Sequence, residues 1–134
     1  MFYPSGTEIL EQRLIEDPYR WLDKFPEEKL DFKKAVQSYL SKQYDEVIRN
    51  CFLTIEGLIR KILNNTKTLD NNQEELLRRL NLSNQWKGIL ANHIKYAHES
   101  RHASSKRHSL NPLEVEAFLY QTGLLVRLVI GSTK

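Results

Sequence analysis

The chain has 134 residues, 40% of them hydrophobic and 28% charged, with a formal net charge of +3 at pH 7. That length supports one domain with a real core, and the balance of apolar and charged residues argues against disorder. An isoelectric point near 9.0 makes the chain mildly basic, which suits a polyanionic partner without requiring one.

A single cysteine, Cys51, excludes an intramolecular disulfide and a thiolate zinc cage. Cys51 falls inside an apolar helical pattern, where it reads as a buried small hydrophobe rather than a nucleophile. Charged residues follow soon after Met1 to Ser5, so no secretory leader is read there. No apolar run approaches the roughly 20 residues that span a bilayer. A cytoplasmic protein without membrane contact is expected.

Taken in chain order, the pattern predicts helices throughout. Glu8 to Ile15 suits a short helix ended near Pro18, and Tyr19, Trp21, Leu22 and Phe25 form an aromatic connector packed on the main body. Residues 1–25 are thus expected as a connector or short helix, and 26–134 as the helical domain. Pro26 with Glu27 and Glu28 marks a helix start, with proline in the first turn and acids over the positive dipole end. That helix should run to about Gln43.

Tyr44 to Leu63 carries the strongest signal. Ile48, Cys51, Phe52, Ile55, Leu58, Ile59 and Ile62 recur at three- and four-residue steps as one apolar stripe. Asn64 and Asn65 end it, and the polar run through Asn72 reads as a loop. A short helix from Gln73 to Leu80 follows, then one capped by Ser83 that runs from Asn84 into the 90s. Asn111, Pro112 and Glu114 form an N-cap, first-turn proline and capping acid for a last helix closed by Gly131. From Val115 to Ile130 it is apolar on most sides, which places it in the centre of a bundle or against a second protomer. The expected fold is all-α, a four- to five-helix bundle.

The stretch His93 to His108 reads HIKYAHESRHASSKRH and holds all four histidines of the chain. Lys95, Arg101, Lys106 and Arg107 stand among them against one acid, Glu99. The stretch is expected to leave one helix, cross a Ser-rich loop and approach the N-terminus of the last helix, whose free N–H groups favour an anion. Cleaving RNA without a metal takes a base for the ribose 2′-OH, an acid for the departing 5′-oxygen, and a cation for the charge on phosphorus. Histidine serves either proton transfer near neutral pH, and arginine offers a permanently charged fork to phosphate. Arg101 and His108 supply the minimum set. On an unbroken helix they would share a face about 10 Å apart, and a loop brings them closer.

Plainer readings stand beside this one. A basic cluster in a loop is most often a solvated surface. His98 and His102 have the i, i+4 spacing of zinc ligands, but only Glu99 is at hand to extend the set. Ser104, Ser105 and Ser109 lack the context of a hydrolase nucleophile. Glu56 flanks the apolar stripe, where it either orients Arg101 or a histidine or forms an ordinary i, i+4 pair with Arg60. Beyond Tyr96 the basic stretch has few aromatics, so no base-stacking platform is expected.

With those residues in view, the chain resembles the HEPN superfamily of small helical bundles. Its motif is an arginine, four to six residues, then a histidine, with Asn, Asp or His after the arginine. Arg101, His102 and His108 fit the six-residue version, similar to the HEPN domains of abortive-infection proteins. The apolar run LLVRLVI near the end of the last helix and the stretch YDEVIRNCFLTIEGLIRKIL also resemble the family, over roughly residues 28 to 130. Two positions depart from relatives: Ser109 replaces a glycine common after the motif histidine, and Leu110 stands where some toxins carry a modified tyrosine.

The resemblance implies a metal-independent endoribonuclease, a toxin or antiviral effector, working on RNA as a homodimer with no cofactor. Arg101 would stabilise the phosphate, His108 act as acid or base, and His102 support the site. Lys95, Lys106 and Arg107 would hold the RNA backbone, with Glu56 and His98 as supporting residues. An antitoxin, or a further domain of a larger polypeptide, is a possible partner. The alternatives are a non-catalytic HEPN module that binds RNA or nucleotide or mediates dimerisation, and a purely structural interaction domain.

Overall fold

The computed structural model describes residues 15–104 and 110–132, the side chains of 101–104 excepted. Among the described residues there are six helices and no strand. They are α1 (Asp17–Trp21), α2 (Pro26–Leu40), α3 (Tyr44–Leu63), α4 (Leu69–Arg79), α5 (Asn84–Ser104) and α6 (Pro112–Ser132). The all-α class is as expected, with α1 the element beyond the expected four or five. The short helix expected over Glu8 to Ile15 lies almost wholly outside the described residues.

Pro18 stands in the first turn of α1. Asp17 pairs there with Arg20. α2 begins at Pro26 as the sequence predicts. α3 has the expected bounds, and its C-cap Asn64 takes a left-handed conformation at φ 55°, which asparagine tolerates better than most residues. α4 starts at Leu69 rather than Gln73 because Thr68 caps it, the hydroxyl accepting from Asn71 N at 3.4 Å.

α3 is the central element, packed against α2, α4, α5 and α6. Its stripe of Val47, Ile48, Cys51, Ile55, Leu58 and Ile59 is buried. Burial of side chains of this size stabilises by roughly 1.5–3 kcal/mol each, which makes α3 the main apolar contributor. α6 packs against α1, α2, α3 and α5. It buries Val115, Phe118, Leu119, Leu125, Val126 and Val129 and leaves Leu113 and Leu124 exposed.

Two close approaches tie α2 to α3 and to the N-terminal part of α6. Glu28 of α2 is buried over Gly57 of α3, where an added Cβ would meet its carboxylate and displace it. Lys61 Nζ donates to Glu28 Oε1 at 2.6 Å and neutralises it. Tyr39 of α2 donates to Glu116 Oε2 of α6 at 2.8 Å, and that bond pushes the phenol up to about 12. α1 belongs to the same core: Leu22 is fully buried and Tyr19 meets Phe32 edge-on at 5.6 Å between ring centroids.

Candidate nucleic-acid interface

α5 and α6 run antiparallel, since His93 lies opposite Gln121 and Thr122 while Tyr96 lies against Phe118. The inner side of α5 sets Leu90, Ile94 and Ala97 into the core. Of its polar residues, His93 and Ser100 are buried, while Lys95 is exposed and His98 half-exposed.

The helix continues to Ser104, further than the sequence suggested, so the backbones of Arg101 and His102 belong to its last turn rather than to a loop. Ser, His and Ala are all compatible with helix, and after Ala97 no apolar stripe marks its course. The side chains of Arg101 and His102 lie outside the described residues, as do Lys106, Arg107 and His108 in the connection to α6. On the far side of that connection Asn111 caps α6, its Oδ1 accepting from Leu113 N at 2.9 Å and its Nδ2 donating to Glu114 Oε2 at 3.3 Å.

Glu56 has two partners at the start of α4 and along its own helix. Its Oε2 accepts from Leu69 N at 3.0 Å, and its Oε1 lies 3.5 Å from Arg60 Nη2, the i, i+4 pair expected of it. It thereby anchors the N-terminus of α4. The next residue, Asp70, brings Oδ2 to 3.9 Å from His98 Nδ1. Lys95, His98, Asp70 and Gln73 line one shallow pocket between α4 and α5. Asp70 was not singled out in the sequence, where it reads as an ordinary first-turn acid.

His93 separates from the other histidines. It is 3% exposed, with its ring stacked on Phe118 at 4.0 Å and 6°. Thr122 donates its hydroxyl to Phe118 O at 2.8 Å, so toward His93 Nε2, also at 2.8 Å, its oxygen accepts. This places the ring proton of the neutral imidazole on Nε2. Nδ1 meets the Gln121 carboxamide at 2.7 Å, a group that can present N–H to a neutral ring or oxygen to a charged one. Burial pushes the imidazole down to about 4, with the Gln121 contact acting the other way. Thr122 also touches Cys51, whose thiol burial pushes up to about 12. His93 is a core residue, and a count of histidines along the chain does not separate it from His98.

A groove of about 420 Å³ opens between α5 and α6 beside this stack. Asn92 and Tyr96 form one wall, and Glu114 and Gln121 stand on the other.

No family model matches the chain, and no curated protein or solved structure matches it. Among the described residues no helix is long and apolar enough to cross a membrane. No group of three or more His, Cys, Asp or Glu among them is placed to hold a metal ion. The molecule is thus defined as an all-helical domain with a basic, histidine-bearing end on α5.

Proposed function

We propose that the chain is a metal-independent endoribonuclease of HEPN type, a toxin or antiviral effector acting as a homodimer. The observation that supports this reading is the position of Arg101 in the last turn of α5. The connection that carries Lys106, Arg107 and His108 follows directly, and the capped N-terminus of α6 comes next. Permanent positive charge, an imidazole and a helix N-terminus are thereby gathered within a few residues of one another along the chain.

In this reading the ribose 2′-oxygen attacks the adjacent phosphorus while a histidine takes its proton. The P–O5′ bond breaks, and an acid returns a proton to the 5′-oxygen, leaving a 2′,3′-cyclic phosphate and a 5′-hydroxyl. Arg101 holds the charge that builds on the phosphate oxygens. His108 is the acid–base group of one protomer, His102 supports it, and the second copy supplies the other proton-transfer group. Lys95, Lys106 and Arg107 extend the contact along the RNA backbone, and His98 is steadied by Asp70.

The test is cleavage of mixed single-stranded RNA with chelator present. His108→Ala and Arg101→Ala each lower the rate about 10²- to 10⁴-fold with unchanged helical content. Full activity in either variant removes the assignment. Salt-sensitive RNA binding without cleavage by the wild type leaves the non-catalytic module in its place.

A further inference from the structure

The groove between α5 and α6 has a chemistry that the motif does not use. Its base is the His93–Phe118 stack, with centroids 4.0 Å apart, and Tyr96 leans on Phe118 at 5.1 Å. Asn92, Gln121 and Glu114 add two carboxamides and a carboxylate to its walls. A volume of about 420 Å³ falls within the range of small-molecule pockets, which combine apolar walls with a few convergent polar groups.

We propose that this groove is a base-recognition site that takes an unstacked adenine of the RNA. The proposal rests on the reading of the chain as a protein that acts on RNA, and it names the substrate feature that reading leaves open. A splayed base is held by stacking on aromatic side chains and by hydrogen bonds to its edges. Asn92 offers one donor beside one acceptor, which matches N7 and the N6 amine of adenine, while the Gln121 carboxamide is engaged by His93 Nδ1. Guanine presents two acceptors along the same edge, and uracil has no amine to give to Glu114.

A second copy of the chain suits this groove less well. The buried centre of a protein–protein interface is depleted of charge, whereas here a carboxylate and two carboxamides line a concave site.

The experiment uses the full chain and short 2′-O-methylated oligoadenylate and oligouridylate, which resist attack by a 2′-hydroxyl. Binding is read by fluorescence anisotropy for wild type, Asn92→Leu and Ala117→Phe; both positions are exposed, and Ala117 lines the groove. The wild type is expected to bind oligoadenylate at least about fivefold tighter than oligouridylate, and both variants to lose that preference. Equal binding by the wild type, or a preference intact in both variants, overturns the groove assignment and leaves the RNA reading standing. Failure to bind either oligomer overturns both. Sedimentation of the same samples identifies the other occupant: a dimer dissociated by Ala117→Phe with base preference intact assigns the groove to a second copy and overturns the proposal.

Discussion

Acidification from pH 6.5 to pH 4 is expected to weaken the fold by about 3 kcal/mol through His93 alone, and His93→Gln should lose most of that dependence. The imidazole is held down to about 4 in the folded chain against an ordinary 6.5, chiefly because the core denies water to its charged form. Between those values the unfolded chain binds the proton and the folded chain does not. Stability therefore rises with pH across this window, is complete above 6.5, and is lost as the pH falls toward 4. Asp31 works in the opposite sense, because burial and the neighbouring Glu28 raise its carboxyl. The difference between wild type and His93→Gln isolates the imidazole from that background. Urea denaturation at several pH values measures it, and parallel profiles for the two proteins would show that His93 does not titrate as a buried group.

Phe32→Ala should destabilise the domain by about 3–5 kcal/mol and release α1 from the body of the molecule. Phe32 is fully buried in α2, and its ring receives Tyr19 of α1 edge-on at 5.6 Å. Truncation removes the transferred apolar surface and leaves a cavity that two packed helices cannot easily collapse. α1 has only five residues, too few to persist as a helix without tertiary contacts. Hydrogen exchange should show its amides losing protection before those of α3. Leu22, buried at the end of α1, and Trp21, 5.9 Å from the Arg127 guanidinium, give that helix its other anchors. A loss below about 1 kcal/mol, with α1 still protected, would mean that those anchors hold it without Phe32.

The parts of the fold legible in the sequence are those written by periodicity and capping. α3 is bounded by its own stripe, and α6 starts where Asn111 and Pro112 say it should. α4 reads four residues short in the sequence because its first turn is polar: Asp70, Asn71 and Asn72 look like loop unless Thr68 is taken as the cap. Asn72 is in fact buried, exchanging amide hydrogen bonds with Asn65 at 2.8 and 3.0 Å. The extension of α5 through Ser104 is hidden for a related reason, since no apolar stripe continues after Ala97.

The candidate site divides in the same way. Arg101, His102 and His108 are visible as a spacing along the chain. Glu56 is not legible as an anchor of α4, because its partner Leu69 N is a backbone group thirteen residues away. The groove is less legible still. Tyr96 comes from α5 and Phe118 from α6, so a search for aromatics within the basic stretch finds only the first of them.

Cys51 gives the protein an internal clock. Its thiol is wholly enclosed by the bundle, at the middle of the helix every large neighbour packs against, and the enclosure holds it protonated at neutral pH. A thiol reagent in water meets it only when α3 parts from its neighbours. With no second cysteine to confuse the signal, the rate at which one sulfur is labelled counts the openings of the whole core.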